Sequence, residues 1–283
     1  MSDLVGRWDL LVTENSGVFP SWVELLEEGG QFVGRVGSAR PIQTISLNGD
    51  AVTFSLPPQY EGRKDNLTFH GTLEEGILRG TTTLDDGTPT TWEGRPAPAL
   101  PYYQPTFGEP IELIQTNLDN WTLRSPDWVN NWSIVDGALV NSAAGSDLIT
   151  LDRFSDFKLI AEYSYPKDSN SGIYLRGRYE VQILDDYEGT PNGVGNSAAI
   201  YGFIAPSVNS IHPFGEWNTA EITLIGRFVT IVLNGTTVID NQEIPGITGG
   251  ALDSSEGEPG RIFVQGDHGP VTFRRLTIYP ARS

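Results

Sequence analysis

Short β-rich runs broken by turn residues recur from one end of this chain to the other, and helical periodicity is almost absent. That pattern restricts the fold to sandwiches or barrels built from many short antiparallel strands. Hairpin turns can be read directly. Asn48-Gly49-Asp50 separates Ile42–Leu47 from Ala51–Leu56, and Asn-Gly accepts the positive φ that a tight hairpin demands. Glu74-Glu75-Gly76 separates Leu67–Leu73 from Ile77–Thr83, and Asn234-Gly235 separates Phe228–Leu233 from Thr236–Ile239. The 32 glycines, 19 prolines and 7 tryptophans fit this turn-rich class better than a helical one.

Further strands are expected over Gly6–Thr13, Ser21–Glu27, Gln31–Val36 and Thr90–Gly94, with Glu28-Gly29-Gly30 as a turn. Residues 1–95 then form a small antiparallel meander or barrel of about eight strands, its Trp8, Trp22 and Trp92 serving mainly as core. Proline at 96, 98, 101 and 105 resists pairing and stiffens the chain, which places a linker over residues 96–106. Residues 107–283 form a larger all-β domain. Its expected strands include Leu159–Tyr165, Ser171–Leu184, Ala199–Phe203, Asn218–Ile225, Arg261–Gln265 and Val271–Tyr279. The loops Asp186–Asn196, Ala205–Glu216 and Pro245–Gly260 are long, and long loops on a rigid sheet commonly carry recognition groups.

Charge narrows the partners. With 36 acidic against 18 basic side chains the formal charge is -18, a balance that repels nucleic acid and anionic membrane surfaces and suits neutral ligands. The absence of cysteine excludes disulfides, thiolate metal sites and a cysteine nucleophile. No apolar run approaches the roughly 20 residues that span a bilayer. MSDLVGRWDL has neither a basic nor an apolar leader region, so the expectation is a cytoplasmic protein, or an exported one whose leader has been removed. The oligomeric state stays open.

Chemistry concentrates in NSGIYLRGRYEVQILD, residues 170–185. Read as one strand, its alternation sets Ile173, Leu175, Tyr179, Val181 and Ile183 on one face and Arg176, Arg178, Glu180 and Gln182 on the other. Guanidiniums, a carboxylate and an amide on one face need water or a polar ligand, so this face is a candidate cleft floor. Glu162 in the strand around Ile160–Tyr165 could share that face with Glu180 and divide acid and base duties with it. Equally, both carboxylates could pair with Arg176 and Arg178 as a structural ion network. Of the histidines His70, His212 and His268, only His268 lies in a compact polar turn, Gln265-Gly266-Asp267-His268-Gly269. Asp267 beside His268 fits a base and its orienter, although adjacent residues on an extended strand point apart and a plain turn-forming role is the alternative.

Other classes find no footing. There is no Gly-x-Ser-x-Gly elbow, phosphate-binding glycine loop or His-Glu-x-x-His helix. Asp253, Glu256 and Glu258 match no EF-hand spacing and read as a solvated acidic loop. Trp121, Trp128 and Trp132 could stack on sugar rings, but tryptophan in a sandwich is more often core.

Several ordered blocks, NSGIYLRGRYEVQILD, YGFIAPSVN, GEWNTAEI, VLNGTTVID and GRIFVQGDHGPVTFRRLTI, together resemble the 3-keto-disaccharide hydrolase domain family over about Phe107 to Pro280. The resemblance implies a concanavalin-like or glucanase-like jelly roll with a concave ligand face. It also implies cleavage of 3-keto-glycosides, through removal of the C2 proton, β-elimination and hydration, or through direct two-carboxylate hydrolysis. Carried onto matching positions, Glu180 or His268 is the base. Arg176, Arg178, Gln182, Gln265 and Asp267 contact the sugar, with Glu162, Asp185 and Asn218 behind them. No cofactor is expected, and a divalent metal is neither supported nor excluded. The alternatives to an enzyme are a non-catalytic carbohydrate-binding module using exposed aromatics such as Trp217 or Tyr187, and a structural protein.

Overall fold

The structure, a computed structural model, describes residues 3–14, 17–27, 29–33, 39–42, 44–56, 66–84, 87–189 and 193–282. Among these residues the regular elements are all strands, and they fall into two compact units. The first unit joins Met1–Ala99 with the later segment Gly246–Gly257, and the second comprises Leu100–Pro245 and Glu258–Ser283.

In the first unit the strands are β1 (Gly6–Glu14), β2 (Gly17–Leu25), β3 (Gly30–Val33), β4 (Arg40–Ile42), β5 (Ile45–Asn48), β6 (Ala51–Leu56), β7 (Leu67–Glu74), β8 (Ile77–Thr83) and β9 (Pro89–Pro96). They run as one sheet in the order β4-β3-β2-β1-β9-β8-β7-β6-β5. Because β1 pairs with β9, a simple meander curls toward a barrel. Trp8, Leu10 and Val12 alternate inward along β1 toward a core that also holds Phe32, Phe54, Phe69 and Trp92. Phe54 stacks on Phe69 at 4.8 Å, and Trp92 meets Phe69 edge-on at 5.8 Å. A Cβ on Gly71 or Gly80 would lie 2.6 Å from the Trp92 indole, so glycine at both positions makes the room that this large side chain fills. Trp22 is buried instead against the segment Gly246–Gly257, where its Nε1 donates to the Ile247 carbonyl at 2.9 Å. On that same segment Glu256, fully buried, pairs with Arg7. The predicted run Ile42–Leu47 is thus two strands, and the end of Gln31–Val36 and Glu28 of the predicted turn lie outside the described residues.

The second unit contains β10 (Thr106–Phe107), β11 (Ile111–Glu112), β12 (Trp121–Leu123), β13 (Trp132–Val135), β14 (Ala138–Asn141), β15 (Leu148–Thr150), β16 (Phe157–Ser164), β17 (Asn170–Leu175), β18 (Tyr179–Leu184), β19 (Asn218–Ile225), β20 (Phe228–Leu233), β21 (Thr236–Glu243), β22 (Phe263–Val264) and β23 (Val271–Arg282). One sheet has the order β13-β14-β23-β16-β19-β20-β21, with β10 and β11 also on β23; the other, of five strands, is β12-β15-β22-β17-β18. Alternation builds the interior between them. Phe157, Leu159, Ala161 and Tyr163 of β16 are buried while Lys158, Ile160, Glu162 and Ser164 face outward. From the five-stranded sheet Trp121, Leu148, Val264, Ile173 and Val181 are the buried counterparts. The second unit is an all-β jelly-roll sandwich and the first a barrel-like meander, the class expected from the turn-punctuated runs.

Two readings are corrected here. Ser171–Leu184 is not one strand but the hairpin β17–β18, turned at Arg176 (φ 52°) and Gly177 (φ 68°) with Arg178 N–H donating to the Leu175 carbonyl at 3.0 Å. Consecutive positive φ values define a type I′ turn, and arginine fills the place where asparagine is usual. Ala199–Phe203 is likewise no strand. It hems the edge of β18 through Gln182 N–H to the Ala199 carbonyl (3.0 Å) and Tyr201 N–H to the Glu180 carbonyl (3.0 Å), then reverses at Gly202 (φ 77°).

Candidate active site

Strand registers carry two rows of side chains across the outer face of the five-stranded sheet. One row is Thr122, Ile149, Phe263, Tyr174 and Glu180, each directly opposite the next. Two residues along, the second row is Arg124, Asp147, Gln265, Gly172 and Gln182, its outer pairings continued by Arg124 N–H to the Asp147 carbonyl (2.9 Å) and Gln265 N–H to the Gly172 carbonyl (2.9 Å). Directly opposed residues share a face, so these groups meet on one surface.

Glu180 lies at the centre of the chemistry. Its carboxylate accepts a 2.8 Å hydrogen bond from the Tyr174 hydroxyl, and a Cβ on Gly172 would come within 2.6 Å of its Oε1. Glycine at 172 therefore lets the carboxyl lie back across β17. Glu180 is 4 % exposed, and burial pushes its pKa up to about 8, against the Tyr174 hydrogen bond and the His268 charge, which both favour the ionised form. Asp267 and Asp147 add to the upward shift by repulsion. Tyr174, stacked on Phe263 at 4.0 Å and buried beside this carboxyl, is held well above its usual pKa and stays a proton donor.

His268 is half exposed and bonds through Nδ1 to Asp267 Oδ1. The pair forms because 267–268 is a bend rather than extended strand, which removes the objection that neighbours diverge. The Asp267 hydrogen bond raises the His268 pKa, opposed by partial burial and helped by the Glu180 and Asp147 charges. Gln182 and Gln265 are buried on the same face, and the Oε1 of each has no hydrogen-bond partner. An unsatisfied buried amide on a polar face is what a ligand hydroxyl would complete.

Other predicted residues lie elsewhere. Arg176 and Arg178 sit in the β17–β18 turn, off the outer face. Arg176 donates to the Gly226 carbonyl at 2.5 Å and lies 3.7 Å from Asp156, while Arg178 donates to the Glu258 carbonyl at 2.7 Å. Glu162 is on the outer face of the other sheet, 2.6 Å from Arg274 and 3.6 Å from Arg275. A register shift between Glu162 and Tyr163 leaves Arg274 bulged, which brings both adjacent arginines to one carboxylate. Asp185 caps a local turn by accepting the Asp168 N–H, and Asn218 fastens the 205–216 loop by accepting from His212 N–H and Asn234 Nδ2 at 2.8 Å each. Trp217 has the Arg274 guanidinium over its ring at 4.4 Å. Trp121 and Trp132 are buried and Trp128 is exposed. Among the described residues no group of three or more His, Asp or Glu side chains is placed to hold a metal ion.

Sequence reasoning missed Arg124, Asp147, Tyr174 and Phe263. Only Tyr174 carried a signal, its place two residues from Gly172 in the alternating run.

The fold is that of an all-β jelly-roll sandwich. The chain belongs to the 3-keto-alpha-glucoside-1,2-lyase-like domain family, whose model matches residues 109–279. A curated 3-keto-disaccharide hydrolase of Bacteroides thetaiotaomicron is 26 % identical over 145 residues, an alignment covering 39 % of this chain and 50 % of that protein. The chain thus spans about half the length of that relative. A crystal structure from Parabacteroides distasonis, provisionally assigned as a glycosyl hydrolase, superposes with a TM-score of 0.53 at 26 % identity, covering 65 % of this chain and 92 % of that one.

Proposed function

We propose that the chain cleaves 3-keto-glycosides on the outer face of the five-stranded sheet, with Glu180 as the base. The observation that carries this is the Glu180 carboxyl itself, buried, held by Tyr174 and raised to about pKa 8 on a face that also bears unsatisfied amides. A base of that pKa is strong for a carboxylate and still ionises near neutral pH. The family membership and the curated relative supply the substrate class.

A ketone at C3 acidifies the C2 proton. Glu180 takes that proton, and the electron pair of the C2–H bond forms an enolate that runs through C2, C3 and the ketone oxygen. His268, whose pKa the Asp267 hydrogen bond raises, donates to the oxygen leaving C1 as the C1–O bond breaks. The C1–C2 double bond so formed then takes up water, hydroxyl at C1 and proton at C2, for a net hydrolysis. Gln182 and Gln265 hold sugar hydroxyls. With its pKa raised to about 8, Glu180 is mostly protonated at pH 7, so kcat/KM should climb as pH rises through about 8.

Incubating the purified protein with a 3-keto-glucoside in D2O, with and without a divalent metal, tests both the activity and its route. Aglycone release with deuterium at C2 of the product supports elimination. Release without deuterium supports direct hydrolysis, and no release under either condition removes the proposal.

A further inference from the structure

Resting on that reading, a further residue can be assigned on the same face. The arginines singled out in the sequence have nothing to offer a ligand there, because both are buried in the hairpin turn and donate to backbone carbonyls. Arg124, in contrast, stands on the outer face at the far end of the second row. Its guanidinium lies 5.1 Å from the Phe263 ring centroid, and Nη1 donates to Asp147 Oδ2 at 3.2 Å. Asp147 is itself anchored, since its Oδ1 accepts the Gly266 N–H at 2.8 Å. One carboxylate therefore fixes the arginine and the start of the turn that bears His268. Phe263 continues the contact by stacking on Tyr174, which bonds Glu180. The Arg124 side chain remains 32 % exposed, so a ligand on this face can reach it.

We propose that Arg124 is a substrate-binding residue that contacts the group attached to C1, the second ring of a 3-keto-disaccharide, rather than the ring that loses its proton. The spacing of strands sets this. At about 4.8 Å per strand, the Arg124 backbone is roughly 14 Å from Gly172, the position over which the Glu180 carboxyl lies. A ring whose C2 faces Glu180 meets Gln265 and Gln182 on either side of Gly172. What lies beyond Gln265, toward Asp147 and Arg124, is the leaving portion. There the planar guanidinium supplies donors for paired hydroxyls, while Phe263, itself fully buried, holds the guanidinium in place from below.

The test compares a 3-keto-disaccharide with methyl 3-keto-α-glucoside in the wild type, Arg124→Met and Arg124→Lys. Methionine keeps apolar packing on Phe263 while removing the charge, and lysine keeps a cation without the fork; near-UV circular dichroism confirms that each variant is folded. Arg124→Met should lower kcat/KM for the disaccharide roughly tenfold to a hundredfold, the effect of a lost charged hydrogen bond, with a smaller loss for Arg124→Lys. The loss on the methyl glycoside should be at least several-fold smaller than the loss on the disaccharide. Equal losses on both substrates, or no loss on either, overturn the assignment while leaving the proposed activity intact. If the wild type cleaves neither sugar, that activity fails and calorimetry with the same sugars decides. A wild-type preference for the disaccharide that Arg124→Met abolishes sustains the assignment, and no such preference overturns it.

Discussion

Glu162 and Glu180 sit on the outer faces of the two sheets of one sandwich, and they have opposite surroundings. Glu162 is 21 % exposed at its side chain and lies within reach of both Arg274 and Arg275. Glu180 is nearly sealed, and the neutral Tyr174 hydroxyl is its bonded donor on the face. The residue type and the outward orientation are shared. What differs is water: burial away from solvent raises the Glu180 pKa to about 8. Alternation can place a carboxylate on a face, but the neighbours across the sheet decide whether it is a salt-bridge partner or a base.

The largest test of this contrast is Glu180→Gln. It preserves the Tyr174 acceptor and the fit over Gly172 while removing the base, so turnover of a 3-keto-glucoside should fall by roughly 10²–10⁴-fold. Steady-state aglycone release measures it, and a rate near wild type would give the proton transfer to another group. His268→Ala should slow the reaction and, because the histidine charge favours ionised Glu180, move the rising limb of the pH profile above about 8.

Tyr174→Phe is expected to be milder. Its hydroxyl lowers the Glu180 pKa, so deleting it should again carry the rising limb to higher pH and reduce the rate at pH 7 by about tenfold. Unchanged pH dependence in this variant would mean that the hydrogen bond does not tune the carboxyl.

Stability gives an independent reading of the same burial. Folding raises the Glu180 pKa from the ordinary 4.5 to about 8, so the folded chain holds this proton more tightly. Its contribution is whole below about pH 4.5 and is lost as pH rises through about 8; the raised His268 pKa acts in the same sense. Glu180→Gln, which has no proton to lose, should therefore melt close to wild type at pH 5 and above it at pH 9. The alkaline gain should be on the order of a few kcal/mol at most. Thermal unfolding at the two pH values checks the crossover, and a wild type more stable than the variant at pH 9 would deny the buried, protonated state.

How far the sequence reveals these sites depends on strand length. Asn48-Gly49 and Asn234-Gly235 announce their hairpins, because residues that tolerate positive φ occupy them. Arg176-Gly177 has the two positive φ values of Asn234-Gly235 without the asparagine, held by the Arg176 bonds to Gly226 and Tyr179, and so the run looks like one long strand. Glu180 and Gln182 were legible because β18 has six residues, enough for alternation to repeat. Arg124 and Asp147 were not, since β12 and β15 have three residues each and β22 has two, too few to show a period. Their place on the face comes from long-range pairing, which local pattern does not encode. The bulge at Arg274 is another local irregularity of that kind, and it gives Glu162 its second arginine.

The smallest expected effect completes the contrast. Glu162→Gln removes a carboxylate from the other outer face, where its partner Arg274 is 47 % exposed and also lies against Trp217. Partly exposed ion pairs contribute about 0–1 kcal/mol, and the stacking of Arg274 on the indole does not need the carboxylate. The melting temperature should therefore drop slightly or not at all, and more at low salt than at high salt. Turnover of a 3-keto-glucoside should stay within about twofold of wild type, because no strand register links Glu162 to the rows of the five-stranded sheet. A loss comparable to that of Glu180→Gln would mean that the two outer faces act together, and the distinction drawn between the two glutamates would fall.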